Sequence, residues 1–158
     1  MKQRTWQQYA FWVLLAEAAG ALAGWLTREG TAQYAAAAEK PPLSPPAVVF
    51  PIVWSILYAL MGIGAARIFT APRSMSRTRA LRVFFLQLVF NFFWSVLFFN
   101  LQNYGLALLW LAVLWVLVLW MILVFRKVDP PAAVMQIPYF LWVSFAALLN
   151  YGVWTLNA

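Results

Sequence analysis

The sequence predicts an all-α protein, an integral membrane bundle of five transmembrane helices forming one domain over residues 1–158. Three observations lead there. Hydrophobic residues make up 65% of the chain and charged residues only 9%, whereas a water-facing surface calls for roughly a quarter charged. Breaks at charged or proline-rich stretches leave five apolar segments, about 6–26, 47–69, 80–100, 105–125 and 132–156, each near the roughly 20 residues a helix needs to cross a bilayer. The basic residues also partition by side in the way that an odd number of spans requires.

The first segment follows a basic start and resembles a signal peptide. Its apolar run is longer than the roughly 7–15 residues of such a leader and is interrupted by Glu17, so it reads as a retained span. Residues 27–46 form the longest loop. Within it "TAQYAAAAEK" is alanine-rich enough for a short helix, and "PPLSPP" is expected to run extended, because a residue before proline avoids the helical region. Such a stiff stretch, with Pro41, Pro42, Pro45 and Pro46, suits a lid over whatever lies below. The alternative is a plain spacer. The fourth segment, "LALLWLAVLWVLVLWMILVF", does not alternate in polarity and so excludes a membrane β-barrel strand. The short link "LQNYG" makes the third and fourth segments an antiparallel hairpin.

With five spans, Lys2, Arg4, Arg67, Arg73, Arg77, Arg79, Arg82, Arg126 and Lys127 share one side. The other side holds Arg28 and Lys40, balanced by Glu29 and Glu39. The bias predicts the N-terminus on the inner, cytoplasmic-type side and the lid loop and C-terminus opposite. It also accounts for the net charge of +7 without nucleic acid, for which the chain offers no soluble basic stripe. Cysteine and histidine are both absent. Disulfides, thiolate or histidine metal sites and Ser-His or Cys-His nucleophile pairs are thereby excluded, and no metal or cofactor is expected.

Polar residues at membrane depth need partners and are therefore the informative ones. Gln87, Asn91 and Trp94 follow one another at helical spacing, extended by Ser95 and Phe98. Tyr139, Trp142, Ala146 and Asn150 form a stripe in the last segment, and Trp54 lies one turn from Tyr58 with Ser55 alongside. If these faces converge, they line a pocket for a flat, mostly apolar ligand. The competing reading is that Gln87, Asn91 and Asn150 are interhelical glue, at about 0.6 kcal/mol each. Trp6, Trp25 and Trp154 sit near span ends, as interfacial indoles do. Glu17 should be protonated or paired, and it could serve proton coupling or bond between helices. Gly20 and Gly24 give a small-residue face that permits close helix contact, including a homodimer.

Taken in order, "KPPLSPPAVVFPIVWSILYALMG", "QLVFNFFWSVLFF" and "PPAAVMQIPYFLWVSFAALLNYGVWTLN" resemble the translocator protein family, also called TspO/MBR or peripheral-type benzodiazepine receptor. The resemblance runs from about Gly20 to Asn157 and includes "REG" at 28–30. It implies five membrane helices and an intrabundle pocket under the first loop. The implied ligands are porphyrins such as protoporphyrin IX, isoquinoline or benzodiazepine compounds, and in some members sterols. Carried over by motif, the pocket residues are Trp54, Asn91, Trp94, Trp142, Ala146 and Leu149. Binding with transport, ligand sensing, and light-driven oxidative degradation of protoporphyrin through Trp54 and Trp142 all remain open. Gln33 and Leu43 depart from the family's loop tryptophans, and Tyr151 is followed by no basic residue, which weakens sterol recognition. The third helix also lacks the small-residue face that some relatives use to dimerise.

Overall fold

A computed structural model of the chain describes residues 2–158, with side chains from Thr5 onward. The side chains of Lys2 and Arg4, part of the charge count above, lie outside the described residues. Helix α1 spans Lys2–Leu26, α2 Arg28–Ala37, α3 Val49–Thr70, α4 Met75–Ser95, α5 Tyr104–Val128, α6 Pro130–Val134 and α7 Ile137–Asn157. No strand occurs among the described residues. Five of these stretches are long and apolar enough to cross a membrane: Thr5–Leu26, Val49–Thr70, Met75–Asn100, Tyr104–Val128 and Pro130–Asn157.

Helices α4, α5 and α6 start ahead of the predicted apolar segments because side-chain caps set those ends. Ser74 accepts a hydrogen bond from Arg77 N at 3.1 Å, so α4 starts before its apolar part. Asn103 accepts from Leu106 N at 3.1 Å and opens α5. Asp129 accepts from Ala132 N at 3.1 Å, and Pro130 and Pro131 occupy the first turn of α6, where a missing N–H costs nothing. The last span is therefore two pieces, broken at Met135–Gln136. Past Ser95, α4 widens into a π-helical turn over Val96–Asn100. Gln102, at φ 50°, then turns the chain back through a left-handed conformation.

Two expectations need correction. The predicted short helix within "TAQYAAAAEK" starts earlier, at Arg28, and is nearly continuous with α1. The proline stretch is not extended throughout, since Ser44 N donates to Pro41 O at 3.0 Å and closes a turn at Pro42–Leu43. Proline is well suited to the second position of such a turn.

Helix α1 packs along α3 and also touches α4; α4 pairs with α5, and α5 with α6 and α7. Helices α1 and α3 approach so closely that a side chain at Gly62 would land on the backbone of Val13. Gly20 is likewise taken up inside the chain, beneath the ring of Tyr58, while Gly24 faces open space. Of the proposed small-residue face, only Gly24 stays free. Met61, Phe84, Val118, Met121 and Phe125, all at 0% exposure, form the centre of the core.

Candidate functional site

Four of the polar residues predicted to converge, Tyr58, Gln87, Asn91 and Tyr139, do so, whereas Asn150 bonds to Trp94 and Tyr104 elsewhere. Tyr58 donates to Asn91 Oδ1 at 2.6 Å, and Asn91 Nδ2 donates to the Tyr139 hydroxyl at 2.7 Å. That hydroxyl donates to Gln87 Oε1 at 2.8 Å, and Gln87 Nε2 lies 3.7 Å from Met61 Sδ. One chain of donors and acceptors thus links α3, α4 and α7, and each member is buried. Gln87 and Asn91 share a face because they lie one helical turn apart on α4.

Next to this network runs a seam between α3 and α7. Beyond the Gln136 Nε2 bond to Leu60 O at 3.1 Å, the two helices are held across it by rings rather than by close backbone packing. Trp54 stacks on Tyr58, with centroids 5.5 Å apart at 30°, and meets Tyr139 edge-on at 6.2 Å. One turn further toward the lid, Phe50 meets Trp142 at 5.9 Å, and Trp142 touches Phe145 at 5.5 Å. Both indoles are half-buried, and Ala146 and Leu149 are buried on α7. The seam rings are in contact, so they close the space between the helices. Clefts of about 350 and 300 Å³ open instead at the end carrying Arg67, the first against Trp12 and Phe69, the second against Tyr9 and Asp129.

Trp94 belongs to a different group. Its indole N–H donates to Asn150 Oδ1 at 3.1 Å, and Asn150 Nδ2 donates to Tyr104 O at 2.9 Å. Trp94 also packs on Phe98, which meets Tyr34 of α2 at 5.2 Å. This cluster ties α2 to the hairpin rather than lining the seam. Burial, and then the neighbouring Tyr104, push the Tyr34 hydroxyl above its ordinary range.

The proline strap is fastened at several points. Glu39 N donates to Asn157 Oδ1 at 3.0 Å, and Asn157 Nδ2 returns a bond to Glu39 O at 2.8 Å. The Pro41 ring fills the notch left by Gly152. Gln102 Nε2 donates to Gln33 Oε1 at 3.2 Å, so the glutamine standing in the loop serves as an anchor. Pro45 is half-buried, whereas Pro46 is exposed.

The family comparison bears on this arrangement of seam, network and strap. The TspO/MBR family model matches residues 12–155. The chain belongs to the TspO/MBR family. It is 31% identical to a translocator protein of Bos taurus over 154 residues, covering 96% of this chain and 91% of that protein. It is 37% identical over 120 residues to Protein CrtK of Rhodobacter capsulatus, 75% of each chain. A tryptophan-rich sensory protein of Cereibacter sphaeroides is 35% identical over 118 residues, covering 75% of this chain and 73% of that one. Within this TspO/MBR chain, sequence reasoning missed Phe50, Phe145 and Asn157. Phe50 carried a signal, lying one turn before Trp54; Asn157 carried none, because its partner is a backbone far away in sequence.

No cluster of three His, Cys, Asp or Glu capable of holding a metal occurs among the described residues. Glu17, half-buried on α1, makes no hydrogen bond or ion pair among them either. What the seam offers chemically is a flat apolar wall backed by a hydrogen-bonded polar network.

Proposed function

We propose that this membrane protein binds a planar tetrapyrrole, protoporphyrin IX or a close relative, in the α3–α7 seam beneath the proline strap. Trp54 and Trp142 form the facing walls, and Ala146 and Leu149 supply apolar floor. The observation that carries this reading is the seam itself. Two helices joined through rings can part by rotamer changes, whereas helices in backbone contact, like α1 and α3, cannot. A guest that stacks on the indoles replaces the ring contacts it breaks. The Tyr58–Asn91–Tyr139–Gln87 network ties the backing together through bonds among its own groups. Aromatic ligands of the isoquinoline or benzodiazepine type fit the same walls.

Titration with protoporphyrin IX, followed by the porphyrin's own absorbance, tests the reading. A stacked aromatic pair is worth about 1 kcal/mol beyond burial. Trp54→Phe and Trp142→Phe should therefore each weaken binding about fivefold, and Trp94→Phe, outside the seam, should leave it unchanged. Equal affinity in all three variants would remove the seam from the site. Illuminating the bound porphyrin separates binding from oxidative degradation: a stable spectrum supports binding, and a new product spectrum supports turnover.

A further inference from the structure

We propose that the lipid-facing groove between α4 and α5 seats an anionic phospholipid, its phosphate held by Arg79, Arg82 and Lys127. The end of the bundle where α3 and α5 finish and α4 begins contains a single carboxylate, Asp129. That carboxylate is already engaged. Arg67 Nε lies 2.5 Å from Asp129 Oδ2, and Arg67 Nη2 donates to Oδ1 at 3.1 Å. Arg79, Arg82 and Lys127 are exposed and make no hydrogen bond or ion pair among the described residues. Three cations with no internal counter-ion, at the margin of an apolar belt, present unneutralised positive charge to the headgroup region.

The groove they flank is defined by packing. Phe90 of α4 stacks on Trp110 of α5, with centroids 4.4 Å apart at 21°, and fixes the register of the antiparallel pair. Arg79 and Leu86 lie on the same helical stripe as Phe90, and so face the α5 side. On α5, Val113, Trp120 and Lys127 repeat every seven residues on the flank of Trp110 and are exposed. Equal steps along both helices from the Phe90–Trp110 pair bring Trp120 level with Ala80, between Arg79 and Arg82. Leu86 at 42% and Val113 at 43% exposure continue the groove deeper, as a track for acyl chain.

Each part of a phospholipid then meets matching chemistry. The arginines start at the edge of the hydrocarbon and reach outward by snorkelling, while Lys127, at the end of α5, reaches from the water side. Trp120, 44% exposed, stands at the intermediate depth where indoles favour the ester region. Uncompensated positive charge selects a lipid with net negative charge over a zwitterionic one, whose cationic end it repels.

The experiment measures quenching of tryptophan fluorescence by chain-brominated phosphatidylglycerol and chain-brominated phosphatidylcholine, using the full protein in mixed micelles. The wild type should prefer the glycerol lipid. Each cation near an anionic surface contributes about a fivefold preference, so the Arg79→Gln/Arg82→Gln/Lys127→Gln variant should lose more than about tenfold of it. Arg28→Gln/Lys40→Gln, at the other end, should retain the full preference, as should the charge-keeping Arg79→Lys/Arg82→Lys. Inorganic phosphate should not compete. The proposal is overturned if the triple variant keeps its preference, if the far-end variant loses as much, or if phosphate alone displaces the lipid.

Discussion

Tyr139→Phe deletes one oxygen at the junction of the buried network and leaves the ring in place. Two hydrogen bonds vanish, the 2.7 Å bond from Asn91 Nδ2 and the 2.8 Å bond to Gln87 Oε1. At about 0.6 kcal/mol for each interhelical bond in a membrane protein, the floor is about 1.2 kcal/mol. The groups left behind are 3% and 0% exposed and cannot turn to water. An unpaired buried polar group costs about 1–3 kcal/mol, which moves the expected total toward about 3 kcal/mol. Tyr58→Phe removes a single bond, to Asn91 Oδ1, and should cost about half as much. Unfolding in mixed micelles of graded SDS content, followed by circular dichroism, gives both values. Because the two tyrosines share Asn91, their double variant should also be non-additive. The reasoning fails if Tyr139→Phe lies within about 0.3 kcal/mol of the wild type, or if Tyr58→Phe costs more.

The other predictions use the same unfolding assay except where stated. Gly62→Ala should force α1 away from α3, since its new carbon meets the Val13 backbone; it should destabilise by more than about 1 kcal/mol, whereas Gly24→Ala, in open space, should be neutral or slightly stabilising. The Asp129 carboxyl is held below its ordinary range, first by its hydrogen bond to Arg67. Its contribution is therefore full at neutral pH and is lost only as pH falls through and below the ordinary aspartate value; with side chains 33% and 21% exposed the pair is worth about 1 kcal/mol or less, and Asp129→Asn should flatten that acid limb. Asn157→Ala removes both strap bonds at Glu39, so protease cleavage within 38–48 should rise and bound porphyrin should leave faster, with little change in bundle stability. A strap cut no faster than in the wild type would show that the Pro41–Gly152 contact suffices to hold it.

Much of the site could be read in advance because helical spacing converts residue number into direction. Gln87 and Asn91 on one turn, and Trp54 and Tyr58 on another, had to share faces, and amides inside lipid had to find partners. The same reasoning misplaced Trp94 into one pocket with Trp54 and Trp142. Spacing gives a side chain's direction around its own axis but not which neighbour stands there, and Trp94 faces Asn150 and the start of α5. It also could not show that these polar groups would bond to one another in a single chain, since that depends on how far three helices slide along their axes.

By itself the sequence determined the class, the number of spans and the asymmetry of charge, because burying backbone in lipid allows little else to a chain of mean hydropathy +0.78. Only the tertiary structure decided which helices touch. Lipid is as apolar as the side chains, so hydrophobicity does not choose neighbours in a membrane; close packing does. Gly62 against Val13 seals α1 to α3, while Phe50 and Trp142 meet ring to ring between α3 and α7, and that difference in contact is the ground for the proposed seam site.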